Sequence, residues 1–174
     1  MSQHLVLTVI GDDRPGLVGE LSAAISAHQG NWLESSMAQL AGKFAGIVEV
    51  AVDDAHAAAL AAALGALGGL KVTVETAVPK SAAAGRRLKL ALVGHDRIGI
   101  VREVSAALAR HGVNVEELAT RTESAPMSAE VLFHAQAELT ASPTVDVRAL
   151  VAELERISND LMVEISLEIG RAHV

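Results

Sequence analysis

The sequence predicts an α+β protein in which one βαββαβ unit is written twice. Three observations predict it. "GDDRPGLV" (Gly11 to Val18) returns eighty-three residues later as "GHDRIGIV" (Gly94 to Val101). Helical and strand-like periodicities follow each copy in the same order. The length of 174 residues suits two units of about 80 residues, since domains run from ~50 to 250.

Each element has its own signal. "LVLTVIG" (Leu5 to Gly11) is apolar almost throughout, as expected of a central strand covered on both faces. Leu17, Val18, Leu21, Ala24 and Ile25 then fall at helical spacing, and Gly30 is expected to end that helix. "WLESSMAQL" and "FAGIVEVAV" are two strands meeting at "AGK", a short hairpin with a glycine. "DDAHAAALAAALGALGG" opens on acidic residues, carries Leu60, Leu64 and Leu67 on one stripe and closes on glycines, which is a second helix. "LKVTVETAV" alternates with period two and completes the unit.

The second copy repeats this order. Its last strand, "LMVEISLEI", puts Leu161, Val163, Ile165, Leu167 and Ile169 on one face and Glu164 and Glu168 on the other. The pattern is the split-βαβ, or ferredoxin-like, arrangement. Each unit is expected to be a four-stranded antiparallel sheet with two helices on one face, leaving the other face polar or in need of a partner. Leu5–Glu34 aligned with Leu88–Glu117 is identical at fourteen of thirty positions. The domains are expected at 1–79 and 88–174, joined by a linker at 80–87 within "PKSAAAGRR".

Composition narrows the function. Apolar residues make up 51% of the chain but aromatics only 2%, so the core must be aliphatic. The formal net charge of −7 repels a phosphate backbone, and "GRRLK" is the sole basic cluster, without a nucleic-acid-binding signature. Direct DNA binding is not expected. With no cysteine, disulfides, thiol nucleophiles and thiolate metal sites are excluded, which fits a reducing compartment. No signal-peptide pattern opens the chain, and no apolar run approaches the ~20 residues that span a bilayer. The expectation is a soluble, cytoplasmic protein without membrane contact.

The repeated turn is the best candidate site. Pro15 suits a first helical position, and Gly16 lets another group approach the backbone. The amides of Gly16, Leu17 and Val18, and of Gly99, Ile100 and Val101, would open their helices, where the dipole favours an anion. Asn31 and Asn114, entering the second strand, are expected to return to the same edge of the unit and to offer a donor and an acceptor. Asp13 or Asp96 would suit an ammonium. A small zwitterion matches this set, and a plain helix cap with a tight turn accounts for it about as well.

Other chemistries lack their parts. There is no phosphate-loop lysine, no GxGxxG and no GxSxG. His28 and His111 recur near helix ends and suit packing or capping, while His4, His56, His95, His134 and His173 are scattered. Asp53 and Asp54 stand where an N-cap is wanted, and no metal-ligand spacing occurs. No catalytic residue, metal or cofactor is expected, and the chain does not read as an enzyme.

"DRPGLV" at the first strand–helix junction and "GNWLESS" after the helix make each half resemble an ACT domain. "IGDDRPGLV", "NWLESSMAQLAGKFAGIVEV", "VNVEELATRTESAP" and "ELTASP" are similar to the glycine cleavage system transcriptional repressor group. The resemblance implies a non-enzymatic regulator that senses glycine and contacts a LysR-type activator. It also implies ligand residues near the first loop and the start of the second strand, at domain–domain interfaces. Carried over by position, these are Asp13, Arg14, Gly16, Leu17, Val18 and Asn31, then Asp96, Arg97, Gly99, Ile100, Val101 and Asn114. Ile98 stands in place of Pro15 and His95 in place of Asp12, so the second turn departs from the first. The exposed sheet faces and apolar helices favour a homodimer. The competing functions are an effector subunit of a metabolic enzyme, or a scaffold whose turns are only caps.

Overall fold

The computed structural model describes residues 1–78 and 85–167. The chain divides into two compact units, Met1–Ser81 and Ala82–Val174. The first unit runs β1 (Ser2–Asp12), α1 (Leu17–Ala27), β2 (Asn31–Leu40), β3 (Lys43–Asp53), α2 (Asp54–Gly65) and β4 (Leu70–Ala77). The second repeats it as β5 (Arg86–His95), α3 (Ile100–Arg110), β6 (Asn114–Ser124), β7 (Val131–Ala141), α4 (Val147–Glu155) and β8 (Met162–Leu167).

Both sheets are antiparallel, ordered β2-β3-β1-β4 and β6-β7-β5-β8. Both are α+β units of the ferredoxin-like type. Arg86 and Arg87, placed in the linker by sequence, pair with Ala141 and Thr140 as the first residues of β5. The rest of the expected linker up to residue 84, and Glu168 and Ile169 of the expected last strand, lie outside the described residues.

Alternation along the strands builds one aliphatic core per unit. In the first, Leu5, Leu7 and Val9 of β1 and Val48, Val50 and Val52 of β3 face Leu17, Leu21 and Ile25 of α1 and Leu60 and Leu64 of α2. In the second, Leu88, Leu90 and Leu92 face Ile100, Val104 and Leu108 of α3 and Leu150 and Leu154 of α4. One expectation needs correction. β1 is central but covered on its helix side alone, and Ile10 and Ile47 on the outer side are 44% and 55% exposed. Two helices fill one face of four strands and leave nothing for the other.

The first helix ends differently from the expectation as well. The left-handed residue is Gln29 (φ 60), not Gly30. Gly30 is demanded by space instead, because a Cβ there would lie 2.8 Å from Ile25 Cγ2. His28 and His111 are the C-cap residues of α1 and α3, as expected. Asp53 is the N-cap of α2, though its side chain makes no capping bond. At "AGK", Ala41 (φ 51) and Gly42 (φ 79) form a two-residue turn with positive φ at both positions, the type that matches strand twist. The register of β2 slips between Trp32 and Glu34, and that of β6 slips between Val115 and Glu117, so the duplication preserved even a strand irregularity.

Candidate functional site

The repeated turn joins the C-terminal end of β1 to α1. Gly16 is the N-cap of α1 at φ 92 and ψ −2, and Gly99 takes φ 89 and ψ 3 before α3. Only glycine adopts this conformation without strain. Nothing lies within 4 Å of where a Cβ would stand at either glycine, so both turns face open space. No side chain caps α1, and its first helical bond runs from the Glu20 amide to the Gly16 carbonyl at 2.9 Å. Among the described residues the amides of Gly16, Leu17 and Val18 therefore have no acceptor. The Leu17 side chain is buried in the core, so Leu17 can offer a ligand only its amide.

The second turn is not a copy in this respect. The Ile100 amide reaches back to the Arg97 carbonyl at 3.4 Å, which closes the turn one residue early. Pro15 fixes the backbone in the first unit, whereas Ile98 is fully exposed and fixes nothing. Val101 remains exposed like Val18.

The arginines strap their turns. Arg14 Nη2 donates to Glu20 Oε2 at 2.5 Å and lies against Gly69, 3.3 Å from where a Cβ would stand. Arg97 pairs with Glu103 and donates to the Ile157 carbonyl at 3.2 Å. Asp13 and Asp96 use their amides to anchor the turn, on Gly42 O and Val131 O, each at 2.9 Å. Their exposed carboxylates have no partner among the described residues.

The asparagines are not where sequence placed them. Asn31 pairs with Ala51, and Ala51 pairs with His4, near the beginning of β1. The turn follows Asp12, which pairs with Lys43 at the other end. Eight strand residues, about 26 Å at ~3.3 Å each, separate the two levels. Asn114 is displaced in the same way, because it pairs with Thr140 opposite Arg87. The reason is topological: α1 carries the chain back down the sheet before β2 starts. One unit thus brings Asp13, Arg14, Gly16, Leu17 and Val18 together, and Asp96, Arg97, Gly99, Ile100 and Val101 together, but neither Asn.

Sequence reading missed the neighbours of the turn. Lys43 is paired with Asp12, and its ammonium holds that carboxyl below the usual range. At the corresponding place His95 Nδ1 lies 2.5 Å from Asp160 and Nε2 lies 2.7 Å from Glu130. The Asp160 carboxyl is held low by the Ser158 hydroxyl and then by the His95 amide. An acidic residue clamped by a cation in one unit has become a histidine clamped by two acids in the other. The offset of Asp12 onto His95 was the signal, though their partners come from other strands and loops.

Residues 3–75 match the ACT domain. The first unit belongs to the ACT-domain family, and the second unit repeats its fold with the same strand order. A solved structure, an unknown protein from Galdieria sulphuraria, is 30% identical, with a TM-score of 0.85 over 97% of this chain and 100% of that one. The structure of a candidate glycine cleavage system transcriptional repressor superposes with a TM-score of 0.70 over 97% of this chain and 99% of that one. At 17% identity it shows that this tandem ACT protein shares its fold. No curated protein matches in sequence. No helix among the described residues of the ACT units is long and apolar enough to cross a membrane, and no cluster of three metal-ligating side chains occurs among them.

Proposed function

We propose that this ACT protein is a non-enzymatic, amino-acid-responsive regulator. In this reading it represses the glycine cleavage system by contact with a LysR-type activator rather than with DNA. The observation that carries the sensing part is the open start of α1, where among the described residues three amides lack acceptors and the Asp13 carboxylate that precedes them has no partner. A ligand carboxylate fits the amides, where the helix dipole adds attraction, and a ligand ammonium fits Asp13. The net charge of −7 supports a protein partner over nucleic acid.

The residues proposed for the ligand are Asp13, Arg14, Gly16, Leu17, Val18 and Asn31, with Asp96, Arg97, Gly99, Ile100, Val101 and Asn114 as the weaker set. Arg14 acts by strapping the turn. Asn31 lies too far away to share a small ligand with the turn of its own unit, so in this reading it serves the turn of a second molecule in the homodimer. This reading goes with a first domain at 1–79 and a second that includes Arg86 and Arg87, a homodimer and a cytoplasmic location.

Calorimetry with a panel of small amino acids tests the sensing. Saturable glycine binding that weakens in Asn31→Ala supports it, and silence across the panel removes it. A pull-down from native extract with and without glycine tests the repression. Recovery of a catalytic subunit in place of an activator would replace the repressor by an effector subunit of a metabolic enzyme.

A further inference from the structure

We propose that the outer face of the second sheet carries a site for a small carboxylate, made by Arg121, His134 and Gln136 over a floor of Ala91 and Ala119. The pairing sets these residues in two adjacent rows on the face opposite the helices. Arg121 pairs with His134 and His134 with Val93, while Ala119 pairs with Gln136 and Gln136 with Ala91. Two methyl side chains beside three long polar ones leave a hollow of about 170 Å³. At ~30 Å³ per water-sized group this holds a ligand of about five heavy atoms.

Its polar atoms ask for a partner. His134 Nε2 is buried and makes no hydrogen bond. Glu123 Oε2 is 3.8 Å away, beyond bonding distance. A buried ring nitrogen left in this state is a standing desolvation cost, which a ligand oxygen removes once the ring turns its nitrogen into the hollow. Arg121 uses Nη1 on Glu123 Oε2 at 2.7 Å, and its fork carries further donors. A planar carboxylate matches that fork.

The fold does not require these side chains. At the same register positions the first unit has Ala38, Ala45 and Ile47 against Ile10 and Thr8. The two units thus share the sheet, and Arg121, His134 and Gln136 stand in the second where Ala38, Ala45 and Ile47 stand in the first. The acids around the patch, Glu123, Glu138 and Glu164, repel a dianion such as phosphate more than a singly charged carboxylate, so the attraction must come from the Arg121 fork and not from the patch as a whole. This site is separate from the turn and stands or falls apart from it.

The test is an NMR titration of the full chain with acetate and with glycine, following the His134 ring at constant ionic strength. The expected result is a saturable shift with either carboxylate. It should weaken about tenfold or more in Arg121→Ala and in His134→Ala, the loss of one charge-assisted hydrogen bond, with backbone amides of strands β6 and β7 as the readout where the ring is gone. Asn31→Ala should leave it unchanged. Arg121→Ala and His134→Ala introduce residues that the same fold accepts at these positions in the first unit, and Gln136→Ile is a third of that kind. A shift that stays linear in carboxylate, equals that with chloride, or is the same in Arg121→Ala and Gln136→Ile as in the wild type would overturn the proposal.

Discussion

Gly11→Ala and Gly94→Ala occupy equivalent places at the ends of β1 and β5, yet their costs should differ. A Cβ on Gly11 would stand 2.2 Å from the Gly69 carbonyl oxygen and 2.9 Å from Leu70 Cδ2. The carbonyl is backbone, so β1 and the α2–β4 loop must part by about 1 Å to restore ordinary contact near ~3.5 Å. A Cβ on Gly94 would meet Leu161 Cδ1 at 2.6 Å, the far end of a side chain that can change rotamer. Overpacking against backbone costs about 3 kcal/mol, at the top of the usual 1–3. A displaced rotamer costs about 1 kcal/mol. For a unit of about 80 residues each kcal/mol moves Tm by about 4–8 °C, so the midpoints should fall by more than about 12 °C and less than about 8 °C respectively. The single tryptophan, Trp32, packs against the first core and reports that unit alone. Thermal melts followed by Trp32 fluorescence and by circular dichroism therefore separate the two units. If Gly11→Ala leaves the Trp32 midpoint within about 2 °C of the wild type, the close backbone approach does not hold the turn.

Ala41→Asn should raise stability by about 0.5–1 kcal/mol, because Asn tolerates the left-handed φ of 51 that Ala41 now bears, and urea denaturation followed at Trp32 would read it. Asp146 Oδ1 accepts the Ala149 amide at 3.1 Å at the start of α4, so Asp146→Ala should lower the stability of the second unit by about 1 kcal/mol, read as a lower urea midpoint. The Glu153 carboxyl is held below its ordinary value of 4.5, first by the Arg110 guanidinium and then by His111. A lowered folded value stabilises above 4.5 and is lost as pH falls through the folded value, so Arg110→Ala should flatten the acid limb of the second unit's stability curve in circular dichroism. An unchanged acid limb would mean that this pair contributes nothing.

Sequence alone determined the duplicated unit, its element order and the aliphatic core. These are properties of neighbouring residues: period two in "LKVTVETAV" and helical spacing from Leu17 to Ile25 are visible without knowing what packs where. The turn was legible as a helix start, but Pro15 was expected as the first helical residue, whereas Gly16 is a left-handed N-cap and the helix begins at Leu17. Tertiary structure decided what depends on register. Asn31 recurs as Asn114, and recurrence suggested one pocket, yet pairing with Ala51 and Thr140 puts both at the far end of their sheets. His95 and His134 looked scattered because their neighbours, Asp160 and Glu130 for His95 and Arg121 for His134, come from other strands and loops. Closeness along a chain is written in its order, but closeness across a sheet follows from which strands pair and at what offset, and that offset is set by the packing of the whole core.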